Sequence, residues 1–556
     1  MSLDDLKSPI PEDELIGVVI DGSLRKGVEV RLDPAVSVEA IKEGTYVTIR
    51  GDSHWFFGMV TDVTLHSADP MIGQTIPDVS NALIRQVVAN TVTYGTLSVL
   101  PKITMPPVLG SEDSPQPAKI VPVHFSKTYR ASERDVEIVF GKEDRSHFYI
   151  GNPLDMETKV CLNVEELVKR SVGIFGKSGT GKTFLTRLLL VGMLQRDISS
   201  SLIFDMHNEY GWAGQDRDRD RQVGGLKQLF NSKVSIFTLD PESSIRRDSS
   251  YDFEVQVGFD EIEPEDVAQL QQTLGLSSIA ADAAFDLERH LGNKRWLRDF
   301  LEMSGRKEVY ELANSTSVNP GALVTLFNRL SRFKRFGFMK PKVQDDSVQR
   351  ILEQLDRGIH VVLEFGRYGT DLTAYMLVAN LLTRRIHQRY IQRMEAFEGG
   401  SGAEPRPLVI CIEEAHRFLN PEVASQTIFG NIARELRKYN VTLMVIDQRP
   451  SGIDSEVMSQ IGTKVSCLLD NERDIEATLA GTPGSRDLRS VLERLNAKQE
   501  ALVFGHAVPL PVVIRTREYG AKGSYSDLTR PSWQVGSFQP NSLDKNRLED
   551  QLKDLY

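Results

Sequence analysis

Between Gly176 and Thr183 the sequence reads GKSGTGKT, which sets Gly176, Gly181, Lys182 and Thr183 at the G-x-x-x-x-G-K-[ST] spacing, with a further glycine at 179. That spacing wraps backbone N–H groups around phosphate, brings the lysine to β and γ phosphates, and presents the hydroxyl to Mg2+. Glycine serves because a residue without Cβ lets the backbone close on an anion, and the helix that follows aims its positive dipole end at the same point. Gly176, Lys177, Ser178, Gly179, Thr180, Gly181, Lys182, Thr183 and Phe184 are therefore the expected phosphate-binding span. Hydrolysing a γ phosphate needs charge neutralisation and an oriented water, with little covalent chemistry. Two acids, Glu413 and Glu414, follow the apolar run LVICI. The first is placed to hold the metal through water, and the second to polarise the attacking water as general base. Gln448 follows MVID, where its amide either bonds the γ phosphate or water, or caps a strand end. Arg434 and Arg437, three apart on a helical pattern, share a face. An arginine supplied by a neighbouring subunit stabilises such a transition state; pairing with Glu435 or a nearby aspartate on the surface is the alternative reading.

The elements that must position these groups are legible in outline. SVGIF reads as a buried strand entering the glycine loop and FLTRLLLVGML as a helix apolar on most of its surface, packed on a sheet. SLIFDMHNEYGW places Asp205, His207 and Glu209 at a strand's carboxyl end, and GIHVVLEFG, PLVICIEEAH and VTLMVIDQRP repeat the same apolar-then-polar polarity. In an open α/β sheet this gathers acids and amides on the edge where ligands bind. Residues 14–125 are instead short β-branched and aromatic runs split by Gly, Asp and Asn, the pattern of a small antiparallel barrel. Helix signals dominate from Asp260 to Phe338, with Pro264 opening one helix. The fold class is thus α/β, divided as a barrel over 1–130, a first core segment with the phosphate loop over 131–258, a helical insertion over 259–345, a second core segment over 346–520 and a polar arm over 521–556.

With 556 residues the chain exceeds one core, and 40% hydrophobic with 26% charged residues is ordinary for a globular protein. The absence of a long apolar run or a leader pattern gives a cytoplasmic expectation with no membrane partner. Cys161, Cys411 and Cys467 lie too far apart in sequence for a C-x-x-C metal site, and His207 and His416 read as single hydrogen-bonding groups. A net charge of -11 argues against nucleic acid binding over the whole surface while allowing a local basic channel. Two basic runs, Asn328–Lys342 and Arg384–Arg393, are candidates for it, or else solvated helix faces or subunit contacts.

Taken in order, GIFGKSGTGKT, FDMHNEY, CIEEAHRFL, ARELRKYNVTLMVIDQRPSGI and ALVFGHAVPLPV, behind a strand-rich start like a HAS barrel, resemble the HerA family of hexameric DNA translocases. The resemblance spans nearly the whole chain and implies a RecA-like P-loop core using ATP and Mg2+. It further implies a homohexamer that pumps double-stranded DNA through a central pore with a partner nuclease or other effector, NurA-like or sirtuin-like, docked on the barrel. End processing and antiviral defence are the implied settings. By the same resemblance Lys182 and Thr183 are the Walker A pair, Glu414 the water-activating acid, Gln448 the amide of an S-Q-R-P motif, and Arg434 or Arg437 the trans-acting arginine. Arg170 becomes a further nucleotide contact, with Arg515 and Arg517 as additional ones. Two positions depart from the family pattern: Glu413 stands where aspartate is usual, and Asp447 where serine is usual. The competing expectations are a ring ATPase of the conjugation or secretion type, and a scaffold whose ATP binding assembles a ring around an effector enzyme.

Overall fold

Alternating burial builds the first unit of the chain. The strands β1 (Leu15–Ser23), β2 (Gly27–Leu32), β3 (Tyr46–Arg50), β4 (Trp55–Ser67), β5 (Thr93–Met105) and β6 (Lys127–Arg130) pair antiparallel in the order β2-β1-β6-β3-β4-β5. A further pairing of β2 with β5 closes the cylinder, which removes both open edges. Ile16, Val30, Val47, Ile49, Phe56, Val60 and Leu97 fill its interior. The computed structural model describes residues 14–68, 93–106, 115–216, 221–316, 318–344, 346–422, 424, 428–482, 485–520 and 524–529; side chains at 215–216, 221–222, 434–437 and 486–487 lie outside that description. Most of the expected polar arm lies outside it too, apart from the helix Ser524–Thr529.

Two compact units divide the chain, Met1–Asn163 with Val465–Arg517, and Val164–Lys464 with Glu518–Tyr556. Besides the barrel, the first contains the antiparallel strands His147–Pro153, Val160–Asn163, Glu500–Gly505 and Val512–Thr516. The second unit holds a parallel α/β sheet together with the helical segment, and residues 131–163 and 465–517 fall in the first unit with the barrel. The second unit's strands are β7 (Ser171–Phe175), β8 (Ser200–Asp205), β9 (Val234–Thr238), β10 (His360–Glu364), β11 (Leu408–Glu413) and β12 (Val441–Asp447), and β13 (Ile461–Ser466) begins in it. They lie in the order β9-β10-β8-β11-β12-β7-β13, parallel from β9 through β7. Every residue of β7 to β12 is buried, as befits a parallel sheet covered on both faces.

Register fixes what stands at the carboxyl edge. Thr238 and Asp205 each pair with Glu364, Phe204 pairs with Ile412, Glu413 with Ile446, and Asp447 with Phe175. One row therefore carries Thr238, Glu364, Asp205 and Glu413, and Asp447 stands one residue further on, level with Phe175, the last residue before the glycine loop. Helices α1 (Lys182–Arg196), α2 (Leu372–Glu398) and α3 (Ile428–Glu435) belong to the same unit. Between Pro264 and Leu330 the described residues form a succession of helices, with Pro264 and Pro320 in first turns and the buried Trp296 indole donating to the Ile262 carbonyl at 3.0 Å. Among the described residues no helix is long and apolar enough to cross a membrane.

Candidate nucleotide-hydrolysis site

After β7 the chain turns through residues whose backbones only glycine adopts easily. Gly179 and Gly181 have φ of 78° and 96°, and a Cβ at either would meet nothing within 4 Å. Backbone conformation, not crowding, is thus what demands glycine, and the space before the loop is open. Gly181 caps α1 without a side-chain hydrogen bond, so the first-turn N–H groups of a fifteen-residue helix face that space. The loop is braced from within: the Thr180 hydroxyl and the Lys182 ammonium both donate to the Lys177 carbonyl, each at 2.8 Å.

The hydroxyl of Thr183 donates to Glu209 Oε2 at 2.9 Å. The next residue, Tyr210, donates its buried hydroxyl to Glu413 Oε1 at 2.8 Å, so two adjacent residues link the loop to the end of β11. Asp205 fixes that link by accepting the Glu209 and Tyr210 N–H groups at 2.8 and 2.9 Å. Burial, followed by the charge of Asp205, pushes the Glu413 carboxyl up to about 8; burial likewise pushes Asp205 up to about 7. Glu413 Oε2 is buried with no hydrogen-bond partner. An all-oxygen set with an orphaned carboxylate oxygen fits a hard divalent cation such as Mg2+, which would relieve this crowding of acids.

Glu414 begins the turn after β11 with φ of 49°, the left-handed region that a side chain disfavours. Its Oε1 accepts from Gln448 Nε2 at 2.9 Å, so the two strand-end residues meet. Asp447 does not present its charge to the loop. Its Oδ2 accepts the His416 N–H at 2.7 Å and lies 3.0 Å from His416 Nδ1, while Oδ1 accepts the Arg449 N–H at 2.7 Å. The bond to Asp447 holds the His416 imidazole above its ordinary pKa, against the opposing effect of burial.

Lys182, Thr183, Glu413, Glu414 and Gln448 all stand at this one edge of the sheet. Arg170 does not join them within the chain. It precedes β7, so a five-residue strand separates it from the loop, roughly 16 Å by strand rise. Its stem packs over Gly462, where an added Cβ would lie 2.6 Å from Arg170 Cβ. Arg434 lies on α3 and Arg437 on the 3-10 turn Leu436–Tyr439, but their side chains are outside the described residues. Arg515 pairs with Glu157 at 3.2 Å, and Arg517 with Glu143 at 3.4 Å. Phe184 packs beside Tyr519 with centroids 6.3 Å apart, and the Arg187 guanidinium lies over both rings, so the chain does return to α1 after residue 518.

Of the basic runs, Arg384–Arg393 has its first and last arginines paired internally, while Arg389 is exposed. Arg384 is bidentate to Asp266 at 2.9 and 2.7 Å and also bonds Glu263, and Arg393 bonds Asp356. Arg332 and Arg335 of the other run are exposed. Tyr210 was not singled out by sequence reasoning, although it stands five residues past the end of β8; nor was the pairing of Asp447 with His416, which joins residues 31 apart.

Residues 148–386 match the family described as Helicase HerA, central domain, and residues 16–99 match the HAS barrel domain. The DNA double-strand break repair helicase HerA of Pyrococcus furiosus is 25% identical over 412 residues, 70% of this chain and 72% of that protein. Its namesake in Sulfolobus acidocaldarius is 24% identical over 509 residues, 89% of this chain and 92% of that protein. The plasmid coupling protein TrwB in complex with ADP and Mg2+ overlays with a TM-score of 0.46 and 13% identity, covering 71% of this chain and 94% of that one, an overlap too loose to assign anything.

Proposed function

The chain belongs to the HerA helicase family, and from that premise we propose that it forms a homohexameric ring which hydrolyses ATP between subunits and draws double-stranded DNA through its centre. A nuclease or other effector docked on the barrel would act on the DNA so delivered, in the repair of broken ends or in defence against foreign DNA. The observation that carries the reading is the meeting of three groups at one sheet edge: the glycine loop with Lys182, the Thr183–Glu209 and Tyr210–Glu413 link, and the Glu414–Gln448 pair.

Each group has a distinct task. The N–H groups at the start of α1 bind phosphate oxygens, and Lys182 exchanges the Lys177 carbonyl for the β and γ phosphates. Thr183 directly, and Glu413 through water, would hold Mg2+, which screens phosphate charge when bound. Glu414 orients and deprotonates the attacking water, and Gln448, already bonded to Glu414, contacts the γ phosphate or that water. Arg434 or Arg437 of a neighbouring subunit would complete charge neutralisation. Lysines and arginines would grip DNA through its phosphates without reading sequence, as a motor must pass over any sequence.

ATP turnover with and without duplex DNA tests this. Duplex should stimulate turnover, Lys182→Ala should abolish it, and Glu414→Gln should reduce it by about 10²–10⁴-fold while nucleotide still binds. Turnover indifferent to DNA, or stimulated by single strands alone, would contradict the proposal.

A further inference from the structure

We propose that Asp447 and His416 form a couple that positions Glu414 and Gln448, and so sets the rate of ATP hydrolysis; this rests on the water-activating role given to Glu414. A single carboxylate at the end of β12, 1% exposed, ties two turns together. From the turn after β11 it receives the His416 N–H and ring, and from the turn after β12 the Arg449 N–H. Glu414 lies two residues before His416, and Gln448 lies between Asp447 and Arg449. The clamp therefore brackets both reacting-site residues, whose side chains meet at 2.9 Å.

The clamp is needed because the turn is held away from its preferred conformation. At φ of 49° Glu414 persists only where its surroundings over-determine it, and Asp447 supplies the bonds that do so. Glu414, His416 and Asp447 also lie close enough to share a cation. Against that use, both Asp447 oxygens already accept N–H bonds, and a ring nitrogen 3.0 Å from a carboxylate carries the proton and has no lone pair to offer a metal. The serine expected at position 447 by resemblance could not accept three donors with the strength of a charged carboxylate. The departure at 447 thus tightens this turn instead of adding free charge beside phosphate.

The test uses the full chain with ATP, Mg2+ and duplex DNA, and measures kcat, KM, affinity for a fluorescent non-hydrolysable ATP analogue, and thermal melting. Asp447→Ala and His416→Ala should each lower kcat by about 10–100-fold, with KM and analogue affinity within about 2-fold of wild type. His416→Asn, whose amide can still donate to Asp447, should recover most of kcat. Because the His416 side chain is only partly buried, its variants serve even if Asp447→Ala fails to fold. Unchanged kcat in the alanine variants, a parallel loss of analogue affinity, or an asparagine no better than alanine would each overturn the couple. Glu414→Gln is run alongside. If it turns over normally, the role of Glu414 falls and takes the couple with it; if it is inactive while the alanine variants run at full speed, the couple alone falls.

Discussion

Glu413 carries two opposing demands, burial at the end of an apolar strand and a carboxylate ready for a cation, and its raised pKa records the conflict. Such an acid binds a proton more tightly in the folded chain, at about 8, than in the unfolded chain, at about 4.3. Its contribution to stability is therefore full below the unfolded value and is lost as pH rises through the folded one. Melting followed from pH 5 to 8 without Mg2+ or nucleotide should fall more steeply for wild type than for Glu413→Gln, and Mg2+ with nucleotide should narrow the gap. Parallel curves would show that the Glu413 carboxyl is not pushed up. Glu414 poses a different problem, since strain lies in its backbone and function in its side chain. Glu414→Ala keeps the Cβ and loses the bond to Gln448, whereas Glu414→Gly loses the same bond and relieves the left-handed strain. Although both are expected to be inactive, the glycine variant should be more stable than the alanine variant by about 1 kcal/mol, read from denaturant midpoints.

Strands were the most legible elements, because a parallel sheet buried on both faces leaves uninterrupted apolar runs that stop abruptly at polar residues. SLIFD, LVICIE and MVID announce Asp205, Glu413 and Asp447 in this way, and register then aligns them at one edge. What the pattern could not show is which distant groups such residues meet. Tyr210 reaches Glu413 across 203 residues, and β2 closes the barrel on β5; neither pairing leaves a periodicity to read. Charge patterns are ambiguous for the same reason. RRIHQRYIQR looks like a solvated or DNA-facing run, yet Arg384 is 8% exposed and bidentate to an aspartate 118 residues away. Removing it strands a buried carboxylate, so Arg384→Ala should cost about 3–5 kcal/mol in chemical denaturation. The same variant should leave the salt dependence of DNA binding unchanged. A lowered salt slope with intact stability would return this run to the DNA channel.

At the scale of the assembled molecule the question is whether one site takes groups from two chains. Lys182 and Glu414 stand together on one sheet edge, whereas Arg434 and Arg437 follow on the next helix and turn. If the arginine acts on a neighbour's nucleotide, Lys182→Ala and the double variant Arg434→Ala/Arg437→Ala are each inactive for different reasons, one lacking the phosphate lysine and the other the trans charge. In a ring assembled from equal amounts of both, some interfaces join an intact Lys182 on the arginine-deficient chain to the intact arginines of a lysine-deficient neighbour. Random mixing makes these about one quarter of all interfaces in a cyclic ring of identical contacts. Co-refolded or subunit-exchanged mixtures should accordingly regain ATP turnover up to roughly a quarter of wild type, with less if neighbouring sites must fire in sequence. Restored turnover requires composite sites, because neither chain alone holds a complete set of groups. Mixtures that exchange subunits, as shown by energy transfer between labelled chains, and yet stay inactive would contradict an arginine supplied in trans.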